Sequence, residues 1–519
     1  MKNHHTKRRF LAGAGALVTA AALALSGAAA AHAADMPATS NIVITKLTTP
    51  PTGPGTAATG IAAGQTGGPV IPSGATGING VVFAAYAVPV QDGGGATLAP
   101  GSNAWQQRIG QIDVTAAQSL VGSTPAHTFP ATSGTSGGLD QGNTQWDDAP
   151  RGLYLIRELS APDGVTPAGD FLVAVPLTDP STGTGWLSDI HIYPKNSKVS
   201  TTKTVAENGA FPAVGSNVAW TVQADIPRNS TISKYVLEDT LDSRLTYQPT
   251  AAVSLAGAGA QSLVACTDPA GTVPANCDYV LDYTAPKLTL TFTAPGRAKL
   301  VVEWQARPAT KVQLQIVTQV NASALNAANT AAASITNAAV LTVNNAQPVT
   351  GTPATVKVGD IKIDKVRAGA TGTKVGGAVF SVYANENDAK NRQNPISIDG
   401  VTTWATNATT GEAVISGLFF SNFVDGVAVS DPANYRSYWI NEVVAPSGYQ
   451  LLAAPIKVDV TAAGVDVSPT QVQNVPTSGG FVLPLTGGMG TAILTIGGIA
   501  ILAIVLLVAR RRRNAEAAE

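Results

Sequence analysis

The chain has 519 residues, and its 32 lysines and arginines almost balance 33 aspartates and glutamates, for a net charge of −1. This balance excludes the basic surface that nucleic-acid binding requires, so no nucleic-acid partner is expected. Charged residues make up 13% of the chain, and 52 glycines and 33 prolines accompany abundant threonine and valine. That composition favours short strands joined by turns, and we predict an all-β protein.

The N-terminus carries an export signal. Basic residues at 7–9 precede an apolar stretch over 10–26, and Ala31-His32-Ala33 forms a small-residue cleavage site. This order is typical of a secretory signal peptide, so we expect residues 1–33 to be removed on export. A transmembrane anchor is the alternative, but the apolar core is short for one.

The next segment has the alternation of β-strands. Strands are predicted over 41–47 and 81–86, with a Gly/Pro/Thr-rich loop between them. Residues 130–146 are rich in Ser, Thr and Gly and predict a mobile loop. Within it Gly134-Thr135-Ser136-Gly137-Gly138 matches the G-x-S-x-G pattern of hydrolases. The strand before and the helix after that this elbow requires are not predicted, so we interpret the match as chance.

An eleven-residue motif, Y-x-x-x-E-x-x-A-P-x-G, occurs twice, over 154–164 and 438–448. Each copy predicts a strand that runs into a turn. Strand alternation places Glu158 on the same face as the apolar residues before it, although an edge-strand glutamate that reaches solvent is the simpler interpretation. The repetition indicates an internal repeat of the chain.

A lysine follows an alternating segment between the two copies. Residues 186–194 contain Trp186, two β-branched isoleucines and Tyr193-Pro194, and Lys195 comes directly after them. The proline and the aromatic side chains predict an exposed lysine held at a strand end. A solvated charge in a linker is the alternative.

The middle of the chain predicts a second set of strands. They cover 199–205, 214–222, 235–241 and 335–340, and they contain Lys203, Asp239 and Asn337. The alternative is that Asp239 merely ends a strand and Asn337 caps a turn. Cys266 and Cys277 predict a disulfide in an exported chain, worth about 2.5–3 kcal/mol in the chain-entropy estimate; two free thiols are the alternative.

A third set of strands follows a linker at 349–353. Strands are predicted over 360–366 and 376–383, in the second copy of the repeat, and over 468–476. This set contains Lys365, Glu442 and Asn474.

The C-terminus has three parts in a fixed order. Leu483-Pro484-Leu485-Thr486-Gly487 precedes an uncharged segment, and four arginines follow it at 510–513. At ~1.5 Å per residue the uncharged segment would form a helix of about 31 Å, enough to cross a ~30 Å hydrocarbon core. We expect a transmembrane helix over 489–509 and a basic cytoplasmic tail over 510–519.

Together these motifs resemble a sortase-assembled major (shaft) pilin of Gram-positive bacteria, of the Actinomyces fimbrial type. The C-terminal parts resemble an LPxTG sorting signal, and residues 186–195 resemble the pilin motif W-x-x-x-V-x-V-Y-P-K. The eleven-residue repeat resembles the E-box of Cna-B domains. The resemblance implies three tandem immunoglobulin-like β-sandwiches: a Cna-B-like domain over 34–195, a Cna-A-like domain over 196–347 and a Cna-B-like domain over 355–476.

The resemblance also implies autocatalytic isopeptide bonds. They are Lys203–Asn337, with Asp239 as the catalyst, and Lys365–Asn474, with Glu442 as the catalyst. The matching set in the first domain is Lys46, Asn196 and Glu158, and it stays open because some shaft pilins lack this bond. The chemistry requires lysines whose pKa is lowered by burial and, at Asp239, a carboxyl whose pKa is raised.

The implied function is that of a structural subunit of a covalently polymerised fimbria, and not of an enzyme. A sortase cysteine would attack the carbonyl of Thr486, and Lys195 of another subunit would take over the acyl group. The implied partners are a class C-type pilin sortase, a housekeeping sortase, identical subunits, a tip or minor pilin, peptidoglycan, and receptors on host or bacterial surfaces. The implied location is the cell wall. The alternative is a wall-anchored adhesin that does not polymerise.

No cofactor is expected. His127 and His191 are too few and too far apart in sequence for a zinc site, and no paired carboxylates or serine triad stand out. Acidic loops leave a structural calcium ion open, without a diagnostic ligand spacing.

Overall fold

The computed structural model describes residues 36–50, 55–135, 138–207, 212–266, 276–477 and 488–516. Strands dominate this part of the chain, and the all-β prediction is confirmed. The predicted signal peptide, 1–33, and the sorting motif, 483–487, lie outside the described residues.

The first domain contains the following strands and helices: β1 Thr39–Thr45, β2 Leu47–Thr48, β3 Val82–Ala87, α1 Asn103–Ile109, α2 Val114–Leu120, β4 His127–Thr128, β5 Asn143–Pro150, β6 Gly152–Ser160, β7 Val165–Thr166, β8 Phe171–Val175, β9 Asp189–Ile192 and β10 Lys195–Lys198. Its sheets have the orders β5-β1-β9, β2-β10-β7 and β4-β3-β6-β8. The predicted loop over 130–146 ends early, because β5 starts at Asn143 and pairs with β1.

The first and last strands of this domain run parallel to each other. β1 pairs with β9, and β2 pairs with β10 with Lys195 opposite Leu47 and Asn196 opposite Thr48. Strand β10 crosses the boundary predicted at 195/196, and its sheet partners β2 and β7 both belong to the first domain.

The second domain contains β11 Thr201–Ala206, β12 Asn217–Asp225, β13 Tyr235–Thr240, β14 Leu245–Ala256, β15 Tyr279–Thr284, β16 Lys287–Phe292, α3 Ala294–Ala306, β17 Lys311–Val320, β18 Ser334–Asn337, β19 Ala339–Val343 and β20 Val349–Thr350. Two sheets form a sandwich, in the orders β11-β12-β17-β14 and β15-β16-β13-β19-β20. Their facing side chains bury Trp220, Tyr235 and Phe292 completely.

The third domain contains β21 Ala354–Arg367, β22 Ala370–Lys374, β23 Val379–Tyr383, α4 Glu386–Asn391, β24 Trp404–Ala405, β25 Glu412–Phe419, β26 Phe423–Val424, β27 Val427–Ala428, β28 Tyr438–Val444, β29 Ile456–Val458 and β30 Thr470–Asn474. Strand β21 pairs with β25 and, in parallel, with β30, while β24-β23-β28-β29 form the other sheet. The first and last strands are therefore neighbours here too.

The second and third domains share strands and a core. The first residues of β21, Ala354–Lys357, pair with β18 of the second domain before β21 continues into the third. One buried cluster extends from Val199 to Val472 through both domains, whereas the first domain has two clusters of its own. The last two domains thus pack as a continuous body.

Helix α5, Gly488–Glu516, follows the third domain. Within the described part of the chain, no helix has both the length and the apolar character that crossing a membrane requires. The membrane-spanning role of 489–509 and the cytoplasmic tail over 510–519 stay predictions from the sequence.

Candidate crosslink sites

Strand alternation accounts for the burial of three lysines, one in each domain. Lys46 continues the inward face of Ile42 and Ile44 in the first domain, and all three side chains are fully buried. Lys365 continues the inward face of Ile361 and Ile363 in β21 in the same way. An inward position on a strand normally holds an apolar residue, so a lysine there enters a nonpolar environment.

The second-domain lysine follows the same rule. Lys203 lies between Thr201 and Val205 on the inward face of β11, and it is 4% exposed. The acidic partners also occupy inward positions: Asp239 follows Tyr235 and Leu237 in β13, and all three are completely buried.

In the first domain the structure brings Lys46, Glu158 and Asn196 into contact. The Lys46 ammonium lies 2.8 Å from Glu158 Oε2 and donates a hydrogen bond to Asn196 Oδ1. Asn196 Nδ2 donates to Glu158 Oε1 at 2.6 Å. The side chain of Glu158 is 1% exposed, so it does not reach solvent as the simpler interpretation of the sequence had it.

The third domain repeats this arrangement with Lys365, Glu442 and Asn474. Lys365 donates to Asn474 Oδ1, and Asn474 Nδ2 lies 2.8 Å from both carboxylate oxygens of Glu442. Lys365 Nζ and Glu442 Oε1 are 3.8 Å apart, with both side chains fully buried. Lys362, three residues earlier, is instead partly exposed beside Glu412.

In the second domain Lys203 forms a buried ion pair with Asp239. The Asn337 side chain lies beside them, 1% exposed. Among the described residues, neither amide atom of Asn337 nor Oδ1 of Asp239 has a hydrogen-bond partner. Leaving buried polar atoms unpaired costs about 1–3 kcal/mol each, so this site is costly in its unlinked form. Asp239 is the penultimate residue of β13, and Asn337 is the last residue of β18, directly before β19 begins at Ala339.

Burial sets the protonation of the three lysines. Desolvation lowers the pKa of Lys46, Lys203 and Lys365 to about 8 in each case, against the opposing attraction of the adjacent carboxylate. A pKa near 8 leaves roughly one amine in ten neutral, and thus nucleophilic, at pH 7. Burial also raises the pKa of Asp239, against its ion pair with Lys203 and the neighbouring Asn337 amide.

The carboxylates receive further contacts that the sequence did not indicate. Backbone N–H groups ten residues after each glutamate, at Ala168 and Leu452, donate to Glu158 Oε2 at 3.2 Å and Glu442 Oε2 at 3.0 Å. Both N–H groups come ten residues after the glutamate of their copy of the repeat, and this common spacing is the sequence signal that could have predicted the two contacts. Aromatic rings also flank two lysines: Lys46 Nζ lies 5.5 Å from the Phe83 ring centre and Lys203 Nζ lies 5.1 Å from that of Trp220.

This geometry suits amide exchange. The lysine nitrogen contacts the asparagine carbonyl in the first and third domains, and the amide nitrogen that would leave already donates to the glutamate. A neutral amine that attacks the side-chain carbonyl would give a lysine–asparagine amide and ammonia, with the carboxyl group carrying the proton between them.

Lys195 lies apart from these clusters, in β10. It is half-buried rather than exposed, its ammonium donates to the Tyr193 carbonyl at 3.2 Å, and burial lowers its pKa. Tyr193 is itself anchored, because its hydroxyl accepts a hydrogen bond from Ala63 N at 2.8 Å. Thr486 and the other sorting-motif residues lie outside the described residues.

Two further predictions concern the disulfide and metals. Cys266 and Cys277 are disulfide-bonded. Across the described ranges, no group of three or more His, Cys, Asp and Glu side chains is arranged to hold a metal ion. A bound calcium ion stays an untested expectation.

Family models match most of the chain in order. A model of the Gram-positive pilin subunit D1, N-terminal domain, matches residues 37–197, and a prealbumin-like fold domain matches residues 359–474. An LPXTG cell wall anchor motif matches residues 475–516.

Curated relatives decide the family. The fimbrial subunit type 2 of Actinomyces naeslundii is 30% identical over 436 residues, which cover 76% of this chain and 77% of the relative. The chain belongs to the Gram-positive fimbrial subunits. The fimbrial subunit type 1 of Actinomyces viscosus is 27% identical over 403 residues, covering 70% of this pilin and 73% of that protein.

Solved structures share the fold of this pilin. The full-length major pilin SpaD of Corynebacterium diphtheriae superposes with a TM-score of 0.58 at 20% identity, over 85% of this chain and 98% of that one. The major pilin SpaA of the same organism gives a TM-score of 0.55 at 21% identity, over 84% of this chain and all (100%) of that one. The cell wall anchor motif and the fimbrial relatives, rather than these structures, show that the pilin is an exported, cell-wall-anchored sortase substrate that polymerises with other pilin subunits.

Proposed function

We propose that this pilin forms the shaft of its fimbria through a bond between Lys195 of one subunit and Thr486 of the next. A sortase would form a thioester with Thr486 and release the chain that begins at Gly487, and the Lys195 amine would then displace the sortase cysteine. The half-buried position of Lys195 supports this role, because burial lowers its pKa and raises the fraction of neutral amine.

Intramolecular crosslinks would stabilise each domain. The proposed bonds are Lys46–Asn196, Lys203–Asn337 and Lys365–Asn474, with Glu158, Asp239 and Glu442 as the respective proton carriers. The observation that carries this proposal is the burial of all three lysines, each 0–4% exposed and next to a buried carboxylate. A charged pair in a core stabilises little, because desolvation offsets the attraction, whereas a neutral amide removes that penalty.

The individual partners of this pilin are proposed from the same chemistry. A class C-type pilin sortase would form the Lys195–Thr486 bond, and a housekeeping sortase would transfer the last subunit to peptidoglycan. A tip or minor pilin and receptors on host or bacterial surfaces complete the proposed set. The protein itself would be a structural element that turns over no external substrate.

The test of the intersubunit bond is the size of extracted fibres. Wild-type fibres boiled in detergent should give a ladder of very large species on a gel, and Lys195→Ala should remove the ladder. Lys198→Ala is the matched control, because Lys198 lies on the same strand and is exposed. A ladder that survives Lys195→Ala would overturn the assignment.

A further inference from the structure

The two sheets of the second domain lie next to each other at one edge of the sandwich. Strand β14 ends one sheet and β15 begins the other, and no backbone hydrogen bond joins β14 to β15 among the described residues. A side-chain contact joins them instead: the ring centres of Tyr247 in β14 and Tyr283 in β15 are 4.5 Å apart, with their planes inclined by 37°. Within the described part of the chain, this is the one pair of tyrosine rings in contact.

The opposite edge of the sandwich is held by stronger contacts. There the backbone of β11 bonds to the segment after β20, from Lys203 N to the Thr352 carbonyl at 3.1 Å and from Thr352 N to the Thr201 carbonyl at 3.2 Å. The proposed Lys203–Asn337 bond also starts from β11. A covalent link between the two tyrosine rings would secure the β14–β15 edge in a comparable way.

The two rings differ in exposure. Tyr247 packs against the buried core, whereas Tyr283 is 37% exposed, so a soluble oxidant can reach the pair and one ring has room to turn. The hydroxyl groups are close enough to interact: burial raises the pKa of Tyr247, and the charge of the neighbouring Tyr283 raises this pKa further.

The segment that joins the two strands already carries one product of oxidation. The Cys266–Cys277 disulfide lies between the end of β14 and the start of β15. Disulfides form and persist in oxidising locations outside the cytosol, so this edge of the domain matures where oxidants are present.

We propose that Tyr247 and Tyr283 form a dityrosine crosslink when the exported pilin meets hydrogen peroxide and a haem peroxidase. The contact between the rings carries the proposal, because coupling within one chain requires two phenols already side by side. This crosslink requires neither the Lys195–Thr486 linkage nor any of the lysine–asparagine bonds.

The reaction balances with hydrogen peroxide as the oxidant. The peroxidase removes one electron and the hydroxyl proton from each phenol, and these two electrons and two protons reduce one hydrogen peroxide to two waters. The two tyrosyl radicals then join through a carbon–carbon bond between ring positions next to the hydroxyls. The hydrogen on each joined carbon moves to the oxygen, which restores both phenols and leaves the chain two hydrogen atoms lighter.

Peptide mapping by mass spectrometry after oxidation tests the crosslink. The exported chain carrying Lys195→Ala is treated with hydrogen peroxide and a haem peroxidase, so that sortase linkage does not join copies. A peptide pair joined through Tyr247 and Tyr283 should appear, lighter by two hydrogen atoms than the sum of its parts, together with dityrosine fluorescence. Backbone amides of β14 and β15 should then exchange with deuterium at least several-fold more slowly.

A matched pair of variants separates the ring contact from general oxidation. Tyr283→Phe keeps the ring but removes the hydroxyl, and it should lose both the joined peptide and the slower exchange. Tyr449→Phe should keep both, since Tyr449 is a partly exposed tyrosine of the third domain with no ring contact within the described residues.

The chain fails the test if the treatment joins tyrosines only between copies, or if it leaves Tyr247 and Tyr283 unlinked while free tyrosine in the same mixture is coupled. Equal yields of the joined peptide signal in wild-type and Tyr283→Phe chains would overturn the assignment as well.

Discussion

At the scale of single residues, this pilin places reactive groups where strands normally place apolar ones. Lys203 and Lys365 are on inward strand faces, Lys46 lies between β1 and β2, and each is buried beside a buried carboxylate. The unlinked state is costly, because both charges lose their hydration. The same desolvation would favour the proposed crosslinks, since it raises the fraction of neutral amine.

The role of Glu442 can be tested by mass. Glu442→Gln should retain one ammonia that the wild type loses, each measured against the mass that its own sequence predicts, because the amide cannot carry a proton from the amine to the leaving group. Intact mass spectrometry of the exported chain is the measurement. Glu412→Gln, which changes a partly exposed glutamate of the same domain, should match the wild-type loss of ammonia. A loss of ammonia in Glu442→Gln equal to that of the wild type would contradict the catalytic role.

The pH dependence of stability tests the burial of Lys365. In Asn474→Ala the amine stays free, with a pKa lowered by burial from 10.5 to about 8 in the present environment. Between these values the unfolded chain binds more protons, so the free energy of unfolding should rise with pH, by roughly 3 kcal/mol in all from pH 8 to 10.5. Wild type, in which the proposed Lys365–Asn474 bond would consume the amine, should lack this rise.

Denaturant titrations at several pH values provide that measurement. The control is the double variant Lys365→Met/Asn474→Ala, which has no amine to titrate at this site and should show a flat profile like that of wild type. If the free energy of unfolding rose equally with pH in the single and double variants, Lys365 would be excluded as the source of the rise.

At the scale of elements, β21 couples two domains. Its first residues pair with β18, and its later residues pair with β25 and β30. Val356 on this strand pairs with Ile335, and both are fully buried. The strand therefore belongs to the shared core rather than to a linker.

Truncation of Val356 should weaken both domains together. Val356→Ala should lower the free energy of unfolding by roughly 2 kcal/mol, because it leaves a cavity in the shared core. Hydrogen exchange should speed up in both β18 and β25. Thr355→Ala, on the opposite face of the strand, should change exchange little; acceleration confined to the third domain would show that the cores are independent.

The residues of the candidate crosslinks were predicted from the resemblance to Cna-A and Cna-B domains, which the repeated motif indicated. Strand alternation accounts for the burial of Lys365, which lies two residues after the inward-facing Ile363. The rest depends on pairings between distant segments: Glu207 forms a buried ion pair with Arg436 across the junction, and β18 pairs with β21. Helices α1 to α4 were not predicted, because helices in a strand-rich composition are fixed by capping and packing, as with Ser102 accepting from Trp105 N.

At the scale of the whole molecule, the described residues of the three domains form two packed bodies. The first domain has its own buried clusters, and the second and third share one. The Glu207–Arg436 pair and the hydrogen bond from the Tyr438 hydroxyl to Pro212 O, at 3.0 Å, reinforce the second junction.

Calorimetry should therefore show two cooperative transitions rather than three. One belongs to the first domain, and the larger one belongs to the second and third domains together, since a common core unfolds as a unit. Glu207→Ala leaves Arg436 unpaired at the junction, so it should lower only the larger transition. Separate transitions for the second and third domains in the wild type would contradict the shared core.

The short strand β10 determines where tension would travel in a fibre. If Lys195 bears the preceding subunit, a pulling force enters at Lys195 and leaves toward the second domain after Lys198, within four residues of one strand. Most of the first domain then lies off the path of the force and carries little load. The second and third domains lie on that line. Their candidate crosslinks, Lys203–Asn337 and Lys365–Asn474, would therefore carry most of the load in a fibre under tension.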